Sequence, residues 1–373
     1  MPFAELAAVK HRVLIGAPLP FSVRNADHTL LLARGFVVQT QQQLQALFQR
    51  GALVDIAELQ TPRDQILHAP RALLPQLWSQ AMSRVGQALQ DTDAPSFSEA
   101  LSEAADPVQS LVERDPDLAI FQVLRQGAGA ELAYGAQRSL QTAITSLLVA
   151  LRLGWEPAEA ERAFKVALTM NLSMLELQGQ LAHQASVPSP EQRTQLQTHP
   201  MRSVRLLETA GIRDHDWLRA VLQHHESEDG SGYPSGTTTV GQLASLVRRC
   251  DIYTSKLASR SNRDAMAADM AGRQMFMQDP GHPMTAALVK EFGIYPPGCH
   301  VRLASGELAV VVARGEAITA PIVACLTNAR GMPLVDPVRR ETTDKAHAVV
   351  SVVGERGITA RQPLDRLMAA LSA

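Results

Sequence analysis

The spacing of hydrophobic residues changes twice along the chain and divides it into three predicted regions. Near the start, residues 13–39 alternate apolar and polar side chains, and residues 25–28 form a predicted turn between the two arms of a β-hairpin. Apolar side chains then fall on one face of a predicted helix over residues 41–50, which Gly51 ends. These elements predict a small mixed α/β module over residues 1–65.

The middle of the chain follows helical spacing. Apolar residues recur with a period of 3.6 over residues 71–90, over residues 107–126 and over nearly every later segment up to residue 292. We therefore expect a helical linker over residues 66–106, followed by an all-helical domain over residues 107–293.

The spacing changes to a period of two after residue 298, where strands are expected. Four short strands and a final helix are predicted over residues 301–303, 309–312, 322–326, 348–353 and 361–371. We expect these elements to form a small β-barrel with a terminal helix over residues 294–373. The fold class predicted for the whole chain is mostly α.

Composition and charge exclude several classes of protein. The chain has 373 residues, of which 46% are hydrophobic and 19% charged, a balance typical of folded soluble proteins. No stretch of about 18 apolar residues and no secretory leader is present, so we expect a cytoplasmic protein without membrane contact. The net charge of -2 argues against a nucleic-acid partner. Cys250, Cys299 and Cys325 are too far apart to indicate a disulfide framework or a thiolate zinc site.

The highest density of chemically active side chains lies in one segment of thirteen residues. Its sequence is His224-His225-Glu226-Ser227-Glu228-Asp229-Gly230-Ser231-Gly232-Tyr233-Pro234-Ser235-Gly236. Residues 217–223 have helical spacing, which places the two histidines where a helix runs into a glycine-rich loop. Because imidazole is the commonest protein ligand for metals, the pair is a candidate metal site; the alternative is a histidine pair on a surface helix end.

This segment strongly resembles the signature of the HD-GYP family, in which His-His-Glu precedes Asp-Gly-Ser-Gly-Tyr-Pro. Five signature residues of the loop are present as Asp229, Gly230, Gly232, Tyr233 and Pro234. Members of the family are bacterial signalling proteins that hydrolyse the messenger cyclic di-GMP at a metal centre. The resemblance implies the same helical fold here.

The resemblance also implies which residues are metal ligands. His199, which precedes a proline, matches a family histidine, His224 and His225 match the histidine pair, and Asp251 matches the downstream aspartate. Each alone is compatible with an ordinary surface or capping role. Their joint spacing makes them the candidate ligand set.

Four other positions depart from the family pattern. Met170 and Asn171 replace the His-Asp dipeptide, Met174 replaces a lysine, and Arg138 replaces an upstream histidine. Asparagine lacks the negative charge that bridges two metals, a thioether is a poor ligand beside oxygen and imidazole, and arginine cannot ligate. These departures favour a degenerate catalytic site.

The departures leave two alternatives for the metal. The first, which we favour, is a chain with no metal cofactor; the second is one iron, manganese or zinc ion held by His199, His224, His225 and Asp251. We hypothesise that the Arg138 cation occupies part of the vacated metal volume and donates to a phosphate or to Asp251. The alternative is an unremarkable surface arginine.

Ligand recognition is predicted from three further side chains. Tyr233 offers a flat ring on which a guanine can stack, and Arg260 and Arg263 match family positions that reach cyclic di-GMP. The two arginines are three residues apart, so on a helix they share one face and can hold a phosphate. The alternatives are a structural turn for the tyrosine and a solvated basic face for the arginines.

Three functions are compatible with this sequence. We favour a catalytically degenerate phosphodiesterase that acts as a cyclic di-GMP sensor or interaction module, with residues 1–65 as a sensory or adaptor module. The alternatives are an active metal-dependent cyclic di-GMP phosphodiesterase and a nucleotide-independent scaffold. The expected partners are cyclic di-GMP and other signalling proteins that contact the Gly-Tyr-Pro loop, and a homodimer is left open.

Overall fold

The computed structural model describes residues 3–92, 96–125, 131–261, 263–354 and 357–372. Contacts between residues divide the chain into two units, Met1–His68 and Ala69–Ala373. Most of the described residues are helical, as the spacing of the middle region predicts. No helix among them is both long enough and apolar enough to cross a membrane.

The first unit is a small antiparallel sheet with three short α-helices and a 3-10 helix over Leu6–Arg12. Its elements are β1 (Phe3–Glu5), β2 (Val23–Arg24), β3 (Leu30–Leu32), α1 (Gln41–Gln49), β4 (Leu53–Asp55), α2 (Ile56–Leu59) and α3 (Pro62–Leu67). The strands lie in the order β1-β4-β2-β3. β2 and β3 form the predicted hairpin, and its turn places His28 at a φ of 68°. Leu44 on α1 packs in a core with Phe21 and Val54.

Eleven described helices begin the second unit. They are α4 (Leu74–Ala88), α5 (Phe97–Arg114), α6 (Pro116–Leu124), α7 (Glu131–Arg152), α8 (Pro157–Thr169), α9 (Leu175–His183), α10 (Pro190–Thr209), α11 (His215–Gln223), α12 (Gln242–Leu257), α13 (Ala268–Gln278) and α14 (Pro283–Phe292). The longest, α7, contacts α6, α8, α9, α12 and α14. Its Gly135 lies so close to α9 that an added Cβ would be 2.2 Å from the Leu175 carbonyl oxygen. This close crossing positions α7 next to the site described below.

The single helix predicted over residues 107–126 is wrong, because the chain forms two helices there. α5 begins ten residues earlier, at Phe97, and ends at Arg114. The Asp115 side chain then accepts the Leu118 N–H, and Pro116 occupies the first position of α6. The aspartate side chain accepts a free N–H group at the start of the new helix, and the proline has no N–H with which to continue the previous one. The helical spacing of apolar residues continues across this break, so the spacing alone does not reveal it.

The last part of the chain is a five-stranded antiparallel sheet with a terminal helix. Its elements are β5 (His300–Leu303), β6 (Leu308–Ala313), β7 (Ile322–Thr327), β8 (Pro333–Glu341), β9 (Val349–Val353) and α15 (Leu364–Ser372). The strands lie in the order β8-β7-β6-β5-β9. Within the described residues β8 and β9 share no ladder, so the sheet is open and is not the closed barrel expected from the sequence.

Two physical reasons explain this difference. Every residue of β6 is buried, because Leu124 packs on one side of the sheet and α15 contacts β6, β7 and β8. The helices therefore cover the apolar surface that closure would otherwise bury. The sequence pattern also missed β8, whose Pro333 and Pro337 and largely exposed side chains are typical of an edge strand.

Candidate functional site

His199, His224 and His225 lie together. His199 is on α10, and the histidine pair directly follows the last residue of α11. One ring nitrogen of each lies within 4.8 Å of the others. Burial lowers the pKa of His199 and of His225 to about 3, and that of His224 well below its usual value. All three rings are therefore neutral near pH 7 and able to bind a metal.

Backbone hydrogen bonds fix the protonation of two of these rings. Nδ1 of His199 donates to the carbonyl of Leu196, and Nδ1 of His224 donates to the carbonyl of Val221, each at 2.6 Å. Because a carbonyl oxygen only accepts, the proton of each neutral ring is on Nδ1 and a lone pair is on Nε2. The two Nε2 atoms face each other 3.1 Å apart. Two lone pairs at this distance repel unless a cation lies against both.

The histidine cluster fits a divalent ion. Two nitrogens bound at ~2.1 Å to one tetrahedral metal lie roughly 3.4 Å apart, close to the observed separation. The carbonyl contacts of Nδ1 are the support that orients metal-binding histidines in proteins. Oδ1 of Asn171 is buried and has no hydrogen-bond partner among the described residues. Ser173, two residues further on, donates its hydroxyl to the His199 carbonyl at 3.0 Å.

Asp251 lies outside the histidine cluster and interacts with Arg138 instead. The guanidinium is 3.7 Å from the Asp251 carboxylate and donates to the backbone carbonyl and hydroxyl of Thr254 at 2.7 and 3.1 Å. It also donates to the Gln141 amide oxygen at 3.2 Å. Burial raises the pKa of Asp251, and the charge of Arg138 opposes this shift. Of the four residues predicted as ligands, the three histidines therefore lie in one cluster, and Asp251 pairs with Arg138.

A cavity of about 330 Å³ borders this pair, and we call it the site cavity. Its walls include Arg138, Met174, His225, Asp251 and Arg260. Met174, at the position of the family lysine, contributes a thioether and no charge. Met170, on the same α8–α9 connection, is fully buried and is not among the residues that line the cavity.

Tyr233 also lines the site cavity, but one face of its ring is covered. The ring stacks on His225 with centroids 4.6 Å apart and an angle of 18° between the planes. Burial raises the pKa of its hydroxyl above the ordinary tyrosine value, so the hydroxyl stays protonated. Only the opposite face of the ring is left for a guanine.

Arg260 and Arg263 do not share a helix face, which corrects the geometry expected from their spacing. α12 ends at Leu257, and the backbones of the two arginines pair with each other in a turn. Ser261 fixes this turn by bonding to the end of α9 through its N–H and its hydroxyl. Arg260 lines the site cavity, whereas the Arg263 side chain donates to the Ser255 carbonyl at the end of α12.

The glycine-rich loop is held by a buried carboxylate. Glu226, 1% exposed, accepts the backbone N–H groups of Ser235 at 2.7 Å and of Thr237 at 3.2 Å. Gly230 has a φ of +76°, and an added Cβ on Gly232 would lie 2.5 Å from three backbone atoms of residues 225–227. Gly232 is thus required for space, and Gly230 for its backbone conformation.

Two other loop residues are exposed. Asp229 accepts the N–H and the hydroxyl of Ser231, at 3.0 and 2.7 Å, and Pro234 is exposed beside them. The exposed part of the loop is the surface on which a protein partner was predicted.

Sequence reasoning missed the residues that support the site. Glu226 was recognised as part of the motif, but its structural role was not predicted. The signal for that role was its position just before a loop whose backbone N–H groups need acceptors. Thr254 and Thr142 both contact Asp251 or Arg138, and each lies one helical turn from the residue it supports. A search for polar side chains at positions i+3 and i+4 would have found both.

Comparisons with known proteins agree with this architecture. The family model described as HD domain matches residues 122–275. Cyclic di-GMP phosphodiesterase PA4108 of Pseudomonas aeruginosa is 26% identical over 274 residues, which are 71% of this chain and 62% of that protein. Bd1817 of Bdellovibrio bacteriovorus, a solved structure described as a HDG"Y"P protein, has a TM-score of 0.50 and 12% identity, and the match covers 78% of this chain and 98% of that one.

The chain thus spans less than two thirds of the length of its curated relative. Because its sequence identity to this chain is low, the solved structure supports the fold alone. The matched HD domain contains Arg138, the three clustered histidines and Asp251, and in this chain the sheet and the final helix follow it. Together with the His-His-Glu and Gly-Tyr-Pro sequence, the HD domain match and the curated relative support the assignment of this chain to the HD-GYP family of HD-domain proteins.

Proposed function

We propose that this chain binds cyclic di-GMP in the site cavity without hydrolysing it, and acts as a nucleotide sensor or interaction module. The ligand is suggested by the relative named as a cyclic di-GMP phosphodiesterase. The observation that carries the loss of hydrolysis is the Arg138 guanidinium beside Asp251, where the family has a metal-binding histidine.

The chemistry of phosphodiester hydrolysis supports this proposal. Enzymes of this kind commonly use two metals about 3.5 to 4 Å apart, which generate a hydroxide and neutralise the phosphoryl oxygens. Arg138 supplies a permanent positive charge but cannot lower the pKa of a bound water as a metal does. Asp251, engaged with this cation, is withdrawn from the ligand set.

We also propose that one divalent ion binds to His199, His224 and His225, which are neutral and have one ring nitrogen each within 4.8 Å of the others. Such an ion would polarise a phosphate oxygen. The chain's own groups then recognise the ligand: Arg260 at the exposed edge of the site cavity donates to phosphate, and the free face of Tyr233 packs against a base.

Arg138 contributes charge more than hydrogen bonds in this proposal. Its two terminal nitrogens are directed at Thr254, Gln141 and Asp251. The guanidinium therefore makes the cavity attractive to an anion while it holds α7 and α12 together. Residues 1–65 would be the sensory or adaptor part.

Calorimetry with cyclic di-GMP tests the binding proposal. The wild-type chain is expected to bind the nucleotide, and Arg260→Gln to weaken binding about 10-fold, the value of one charge-assisted hydrogen bond. Arg302→Gln, an exposed arginine on β5, is the matched control and should bind as wild type does. If the wild-type chain does not bind cyclic di-GMP, the binding proposal is wrong and the nucleotide-independent scaffold is favoured.

Metal analysis of protein purified without chelator tests the second part. We expect about one divalent ion per chain, lost in His199→Ala. A stoichiometry of two ions per chain would contradict the proposal that Arg138 takes the place of a metal. A stoichiometry of zero would contradict the three-histidine metal site.

A further inference from the structure

A second cavity of about 330 Å³ lies between the helical domain and the C-terminal sheet, and we call it the sheet cavity. Its walls are the end of α6, residues 265–268 before α13, strands β5, β6, β7 and β9, and residues 358–367. It has no lining residue in common with the site cavity among the described residues. Its volume is within the range of about 300 to 1,000 Å³ typical of small-molecule sites.

The inner wall of the sheet cavity is apolar. Val310, Leu326 and Leu367 line it and are at most 4% exposed to solvent. They come from two strands and from α15, so rigid elements hold the wall open. A surface of this kind favours a hydrocarbon or aromatic body.

The polar groups of the sheet cavity are cationic or neutral donors. Arg125 and Arg361 line it and are exposed, which places them at its mouth, and no Asp or Glu is among the described lining residues. His300 also lines the cavity, and its ring makes no hydrogen bond within the described residues. Burial, and then the nearby Arg361 charge, lower the pKa of His300 to about 4, so the ring is neutral. Two cations with a neutral donor suit an anion.

We propose that the sheet cavity binds a small amphiphilic carboxylate, of which a medium-chain fatty acid is the model, with its apolar body against β6, β7 and α15. The carboxylate lies at the mouth, where Arg125 and Arg361 supply charge and His300 supplies a ring N–H. The site does not depend on the histidine cluster or on cyclic di-GMP.

Titration calorimetry of the full chain with sodium decanoate, below its micelle concentration, tests this proposal. We expect one binding site per chain, abolished by Ala267→Phe, which fills the half-buried rim, and also by Val310→Phe, which fills the inner wall. Arg125→Gln should weaken binding about 10-fold. Arg302→Gln on the exposed face of β5 and His224→Ala in the histidine cluster should bind as wild type does.

The ligand class has its own test. Decanol, which has the same body without the charge, should bind at least 10-fold more weakly than decanoate. No binding of decanoate, equal binding of decanol, or unchanged binding by both cavity-filling variants would overturn the proposal. Circular dichroism of each variant separates loss of the site from loss of the fold.

Discussion

Replacement of Arg138 with methionine is the sharpest perturbation of the site. Methionine keeps much of the length of the side chain but removes the cation that lies 3.7 Å from Asp251 and the hydrogen bonds to Thr254 and Gln141. We expect Arg138→Met to fold and to be clearly less stable than the wild type.

The structure sets the magnitude. Removal of one partner of a buried ion pair costs about 3 to 5 kcal/mol. The Arg138 side chain is 8% exposed, but that of Asp251 is 21% exposed towards the site cavity, so water reaches the carboxylate that is left behind. We therefore expect the lower value, about 3 kcal/mol, which for a unit of this size lowers the melting temperature by about 5 °C.

Denaturant unfolding followed by circular dichroism measures this loss. Arg260→Met is the control, because it removes an exposed arginine from the same cavity and should cost less than about 1 kcal/mol. In Arg138→Met/Asp251→Asn both charges are absent, so the double variant should be more stable than the sum of the single losses by about 1 to 2 kcal/mol. Strict additivity, or an Arg138→Met chain as stable as the wild type, would refute the pairing.

Three further predictions concern the glycine-rich loop. Gly232→Ala should destabilise the chain by more than about 2 kcal/mol in thermal unfolding, because the added Cβ meets backbone at 2.5 Å, whereas Gly241→Ala, whose nearest neighbour is 3.6 Å away, should be tolerated. Glu226→Gln should speed hydrogen exchange at the Ser235 and Thr237 amides that its carboxylate holds; unchanged exchange would contradict this role. Burial raises the pKa of Glu228, but hydrogen bonds from Ser245 and Arg249 outweigh it and hold the pKa at about 2. Since this folded pKa is below the unfolded value of about 4.3, the stabilisation is present above that pH and lost towards pH 2. The cost of Glu228→Gln should therefore be less than about 1 kcal/mol at pH 7, because the side chain is 44% exposed, and should disappear below pH 2; a cost independent of pH would contradict it.

Local patterns in the sequence predicted most elements of the fold. The alternation over residues 13–39 gave the hairpin of β2 and β3, and the apolar face of residues 41–50 gave α1. At the start of α10 the Ser189 side chain accepts the Gln192 N–H and Pro190 occupies the first helical position, which are likewise local features. These features depend on neighbours within a few residues, so the sequence alone contains the information.

Features that depend on distant partners were not predictable in the same way. β8 exists because it pairs with β7 at a sheet edge, which a period-two pattern does not report. The turn of Arg260 and Arg263 is held by α9, nearly eighty residues earlier in the chain. The Arg138–Asp251 pair joins α7 to α12, and only the family resemblance brought these residues into one hypothesis.

The fate of bound nucleotide tests the central claim most directly. Radiolabelled cyclic di-GMP is equilibrated overnight with the full chain and manganese, and the protein-bound nucleotide is then released and chromatographed. The account predicts that cyclic di-GMP is retained by the protein and recovered intact. Linear product that forms with the wild-type chain and not with His224→Ala would contradict it.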